Sequence, residues 1–179
     1  MRRRAVYGIM EAEGRESEGL SMESERIVIT SRERTRPKRQ NVHPPYEYTK
    51  YELLPGTGKD GCRLSLYEIP PGKSNYPFHY HAQDREVFYI LSGGGTLETS
   101  GGERAVAAGD VICCPPGEGG AHKLINTADE PLVYLDFDTL HDPDVFYYPH
   151  SNKIGVRSSA DGPDRYFRMG EAVEYYDGE

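Results

Sequence analysis

At 179 residues the chain has room for one domain with a substantial core. Only 36% of it is hydrophobic, tryptophan is absent, and 20 glycines with 13 prolines favour many turns over long helices. The formal charge of −8 is split between +3 over residues 1–40 and −11 over 41–179, and an acidic body argues against nucleic acid as a partner.

Residues 1–45 are charged and lack apolar periodicity, so a largely disordered tail is expected there, with "RIVIT" (26–30) as a candidate short strand. The leading arginines are not followed by an apolar stretch, which excludes a signal peptide, and Met22 is an alternative start. The basic run from Arg32 to Arg39 reads as a solvated arm. From Tyr46 the pattern changes to short β-like runs ended by turn residues. The runs are "YEYTKYELL", "CRLSLYEI", "EVFYILS", "TLETS", "ERAVA", "VICC", "AHKLIN" and "PLVYLDFDTL". Eight such runs predict an all-β fold, a sandwich or a barrel. "GGG" at 93–95 reads as a hairpin turn, because the lysine and following helix of a phosphate loop are missing. Residues 141–179 read as a mostly loop-like extension packing on or near the barrel, with "EAVEYY" (171–176) as a last turn or strand.

Cys62, Cys113 and Cys114 make no disulfide framework, and no apolar run approaches membrane-spanning length. A reducing, cytoplasmic setting is therefore expected. One of the two adjacent cysteines must face inward, and it is read as a small buried hydrophobe. In "VFYILS" both strand faces are apolar, as in "LVYLDF". A strand apolar on both sides is covered on both, here by the barrel interior and by either a second subunit or the terminal segments. A homodimer is the expectation.

The chemistry concentrates in "FHYHAQDREVFYILSGGG", which starts at Phe78. Side chains alternate along a strand, so His79 and His81 share a face while Phe78 and Tyr80 take the other. "AQDR" turns the chain, and Glu86 opens the next strand beside the histidines. His122, opening another strand after a Gly/Pro-rich loop, is the candidate third imidazole. Three neutral imidazoles and a carboxylate suit one divalent transition metal: Zn, Mn, Fe, Ni or Cu. The net charge near +1 would favour an anionic oxygen ligand. Asp84 and Arg85 read as exposed turn charges, Asn126 as a turn or strand-end hydrogen bonder, and Tyr80 as packing. His43 has no evident partner, and His141, His150 and "FYYPH" read as surface loop.

These residues resemble the two motifs of the cupin superfamily. The first is matched by Gly72, His79-Tyr80-His81, four residues, Glu86, six residues and Gly93. The second is matched by Gly109, "DVICC", Pro115-Pro116-Gly117, four residues, His122, "KLI" and Asn126. The resemblance covers roughly residues 46–140 and is strongest to small bacterial single-domain cupins of undefined function. Two departures lengthen loops: six residues between Gly72 and His79, and four between Gly117 and His122. The resemblance implies a double-stranded β-helix, or jelly-roll, with His79, His81, Glu86 and His122 as the metal ligands. Phe88 and Ile90 would wall the pocket. It also implies a small-molecule ligand or substrate. Dioxygenase, isomerase or decarboxylase chemistry on an oxygen-rich or carboxylate molecule is one expectation. A non-catalytic sugar- or carboxylate-binding barrel is the alternative, and a metal-free epimerase-like barrel a third.

Overall fold

The computed structural model describes residues 27–56, 61–160 and 162–179. Thirteen strands are found among them. β1 (Lys38–His43) and β2 (Tyr46–Leu54) lead into β3 (Cys62–Ile69), β4 (Tyr80–His81) and β5 (Glu86–Ser92). β6 (Gly94–Thr99), β7 (Gly102–Ala107), β8 (Val111–Cys114), β9 (His122–Ile125) and β10 (Leu132–Thr139) complete the central part. β11 (Asp144–Tyr148), β12 (Lys153–Arg157) and β13 (Arg165–Arg168) follow. Helical geometry is confined to three-residue turns, and no helix among the described residues is long and apolar enough to cross a membrane.

Two sheets face each other. The first runs β1-β2-β3-β10-β5-β8. The second combines β7-β6-β9 with β4-β11-β12-β13. The junction is a single antiparallel bridge, where His79 and His122 exchange both backbone hydrogen bonds at 3.1 and 2.9 Å. The fold is a double-stranded β-helix. All eight runs read from the sequence are strands. The turn at Gly93 differs from the expected hairpin, because β5 pairs with β8 and β10 whereas β6 pairs with β7 and β9. It is a corner that carries the chain from one sheet to the other. Gly93 has φ +77°, and a Cβ there would lie 2.5 Å from the Pro131 carbonyl oxygen, so the corner requires glycine.

The core follows the period-2 pattern. Ile69, Phe88, Ile90, Leu124, Leu132 and Tyr134 are buried between the sheets. Tyr67 stacks on Tyr134 with ring centroids 5.1 Å apart. Asn126, at the end of β9, donates to the carbonyls of Ile69 and Glu130 and accepts from the Ala128 N–H, which fits its expected strand-end role. The opposite face of the first sheet is open: Tyr89, Leu91, Val111 and Phe137 are exposed. Among the described residues the terminal segments do not cover it.

Three stretches differ from the sequence reading. Ile27–Thr30, the described part of "RIVIT", forms no strand and leaves Ile27 94% exposed. Within the expected tail, β1 pairs antiparallel with β2; residues 1–26 lie outside the described residues. The segment read as loop after His141 forms β11–β13, while 171–176 forms no strand: Glu171 ends the helical turn Met169–Glu171, and a turn starts at Tyr175. In β11 the inward positions are Asp144, Phe146 and Tyr148, one of them charged, and β12 and β13 begin and end on Lys or Arg, so no apolar alternation marks these strands.

Candidate metal centre

The bridge between His79 and His122 places those two residues opposite each other on adjacent strands. His81 lies two residues further along β4, on the same face as His79. Glu86 opens β5 in the facing sheet, where it pairs with Asp138 on one side and Cys114 on the other. Three imidazoles from one sheet therefore meet one carboxylate from the other. The Gly117–Ala121 loop, two residues longer than the family pattern, folds into a tight turn at Glu118–Gly120 that delivers His122 inward. Gly120 packs so closely on Pro115 that a Cβ would overlap its carbonyl oxygen at 1.8 Å.

The structure brings all four expected residues together. Glu86 Oε2 lies 3.1 Å from His122 Nε2, 3.7 Å from His81 Nε2 and 3.8 Å from His79 Nε2. Donor atoms of His79, His81 and Glu86 all fall within 4.8 Å of one another. Such spacings suit a cation with bonds of about 2.0–2.2 Å to nitrogen and oxygen. Each Nδ1 is taken: His79 donates to the Pro77 carbonyl at 2.9 Å and His122 to the Gly120 carbonyl at 2.9 Å. His81 Nδ1 meets Asp144 Oδ2 at 2.6 Å. A carbonyl can only accept, so His79 and His122 carry a proton on Nδ1, which leaves Nε2 as the nitrogen that would face a metal. Glu86 Oε2 and His122 Nε2 are buried without a hydrogen-bond partner despite their 3.1 Å separation. A shared ion between them would satisfy both atoms.

All four side chains are buried. Burial penalises charge on each of them, and the local partners decide which way each group moves. His79 follows burial and is pushed down to about 4. At His81, burial is outweighed by the Asp144 hydrogen bond and the Glu86 charge, so its pKa is raised. At His122, burial is outweighed chiefly by Glu86 and then by Cys114, and the pKa stands well above the usual histidine value. Burial pushes Glu86 up, but His122, His79 and His81 together hold it well below the usual carboxylate range. Without an ion, protons are held among the same atoms that a cation would bridge, so metal binding must displace them.

The surroundings are part apolar and part acidic. Phe88 sits edge-on to His122 at 5.3 Å, as expected of a pocket wall, while Ile90 is buried in the core behind it. Asp136 and Asp138 lie next to Glu86, with Arg63 clamping Asp138. Cys114 is buried in the core cluster, and Cys113 is exposed and accepts a hydrogen bond from Arg85 at 3.3 Å. A cleft of about 520 Å³ beside β7 and β8 reaches Cys114 and His122 from the barrel flank.

Several neighbours were missed or misjudged in the sequence. Asp84 is not an exposed turn charge: it is 2% exposed and receives the backbone N–H and Nδ1 of His141, with Arg157 on its other oxygen. Asp144, Phe146 and Tyr148 were read as loop, yet Phe146 packs edge-on to His81 at 5.1 Å and Tyr148 lies parallel to His79 at 5.9 Å. The alternation of these three residues was the available signal. Tyr80 stacks on Tyr147 away from the site, His150 stacks on Phe78, and His43 lies at the exposed end of β1, all outside the donor set.

Residues 65–138 match the family profile of the Cupin domain. They form a cupin domain. An oxalate-binding protein of Thermotoga maritima is 35% identical over 68 residues, which is 38% of this chain and 54% of that protein. A proposed sugar phosphate isomerase of Acidithiobacillus ferrooxidans has a solved structure that matches with TM-score 0.69 at 26% identity, covering 82% of this chain and 95% of that one. A cupin-superfamily sugar phosphate isomerase of Silicibacter pomeroyi matches with TM-score 0.70 at 18% identity, over 84% and 98% of the two chains, and supports the fold. The matches to curated relatives span between about half and two thirds of those proteins' length.

Proposed function

We propose that His79, His81, Glu86 and His122 of this cupin hold one divalent first-row metal, and that the site binds and transforms a small oxygen-rich molecule. The observation that carries this reading is the convergence of four buried donor atoms, two of them unpartnered and 3.1 Å apart. In such a site the metal supplies Lewis acidity toward a carbonyl or carboxylate oxygen. The chain's own contribution is to fix the three Nε2 atoms by their Nδ1 bonds and to exclude water with Phe88, Phe146 and Tyr148. Isomerase chemistry on a sugar phosphate is the favoured activity, supported by the likeness to the Acidithiobacillus protein over most of both chains. A non-catalytic carboxylate-binding role is the second reading, favoured by the 35% identity to an oxalate-binding protein over 68 residues.

The test is metal analysis of untagged protein, followed by isomerase assays on aldose and ketose phosphates and by calorimetric titration with oxalate. Turnover that disappears with the metal supports the enzyme. Metal-dependent oxalate binding without turnover supports the second reading. Failure to take up any transition metal contradicts both. Three free thiols fit the reducing, cytoplasmic setting proposed for the protein. Self-association through the open face bearing Tyr89, Leu91 and Val111 is likewise proposed.

A further inference from the structure

Two of the three histidines are locked by their own strands. His79 Nδ1 bonds the carbonyl of Pro77, and His122 Nδ1 bonds that of Gly120, each two residues earlier. His81 is held differently. The carbonyl two residues before it, that of His79, accepts the His122 N–H at 2.9 Å. The ring of His81 is bonded from outside β4 and β9, by a partner 63 residues away: Asp144, the first residue of β11. That carboxylate is fully buried. It is itself fixed from two further sides, by the Gln83 N–H at 3.2 Å on Oδ1 and by Arg157 at 3.4 Å on Oδ2. β11 pairs with β4 so that Phe146 stands opposite His81, which leaves Asp144 one same-face position away and within reach of Nδ1.

We infer that the metal centre is completed from outside the cupin motifs, with Asp144 acting as the positioning residue that holds the His81 ring and tautomer for the ion. This rests on the metal reading of the site. A carboxylate on Nδ1 also makes His81 the most electron-rich of the three donors, since the other two face neutral carbonyls. Asp144 lies beyond residues 65–138, so it is a contribution of the β11–β13 extension and not of the matched domain.

The experiment compares Asp144→Asn, Asp144→Ala and Tyr147→Ala in the full chain. Zinc affinity is measured by chelator competition, and the His81 Nδ1–H proton is followed by NMR with and without zinc. Asp144→Ala is expected to weaken zinc binding roughly 10–100-fold, with Asp144→Asn in between. The His81 Nδ1–H resonance should shift in both variants, while those of His79 and His122 stay in place. Tyr147→Ala, which removes the stack on Tyr80 from the far face of the same strand without touching His81 or Asp144, should lower thermal stability and leave zinc affinity near wild type. Wild-type affinity in a folded Asp144→Ala or Asp144→Asn protein, or an equal loss in Tyr147→Ala, would overturn the inference. If wild-type protein takes up no zinc, the metal reading falls, and the His81 proton in the metal-free protein still decides whether Asp144 holds that ring.

Discussion

The matched domain, residues 65–138, carries all three histidines, and the C-terminal sheet β11–β13 presses on two of them, His79 and His81, by different means. The domain places donors through fixed spacing: glycine corners, a bridge between His79 and His122, and Glu86 at a strand start. The extension places no donor. It contributes Asp144, Phe146 and Tyr148 from one face of one strand, and its contacts are with rings that the domain has already aimed. The proposed metal site is thus encoded locally in its candidate ligands and non-locally in what steadies them. Substitutions in the two regions should separate those two kinds of dependence.

The largest effect is expected in the domain. His81→Ala and Glu86→Ala should each abolish stoichiometric metal uptake by the purified protein, whereas His43→Ala, exposed on β1, should leave it unchanged. Equal loss from all three would mean that uptake reports something other than this site. Next come the two phenylalanines that pack on the histidines. Phe88→Ala, in the core cluster, is expected to cost about 3–5 kcal/mol in denaturant unfolding. Phe146→Ala, which is 4% exposed and lies outside that cluster, should cost less. A reversal would place the stability of the fold in the extension.

A smaller effect concerns pH. His79 is pushed down to about 4 from a usual 6.5, so between these values the unfolded chain binds more protons than the folded one. The metal-free protein should therefore lose this His79 contribution to stability as pH falls through that window. Glu86, held below its usual value, adds a loss of the same sign below about 4.5. His79→Ala should flatten the first part of the curve in urea titrations at stepped pH. An unchanged slope would mean that His79 is not buried as described. The smallest effect on stability is expected at the open face: Tyr89→Lys should leave unfolding nearly unchanged yet reduce self-association in sedimentation velocity. A wild-type monomer at high concentration would remove the proposed dimer.

The strands of the domain were legible because their apolar residues alternate and their ends carry glycine or proline. The four residues that converge were legible because His79, His81 and Glu86 are close in sequence and His122 follows a recognisable loop. Asp84 was misjudged because burial of a turn carboxylate depends on Arg157 and His141, which lie more than 50 residues away. Asp144 was missed for the same reason, since its meaning depends on the pairing of β11 with β4. The corner at Gly93 looked like a hairpin because a glycine turn between two strands has the same local sequence whether or not those strands pair. Partnership across sheets is written in contacts between distant segments, and one chain read along its length does not display it.

The most direct test of the account is the coordination shell itself, read by elemental analysis and X-ray absorption on untagged protein. The account predicts one first-row divalent ion per chain, bound by three imidazole nitrogens and at least one carboxylate oxygen, with no sulfur. A shell containing sulfur from Cys114, or fewer than three imidazoles, would contradict it.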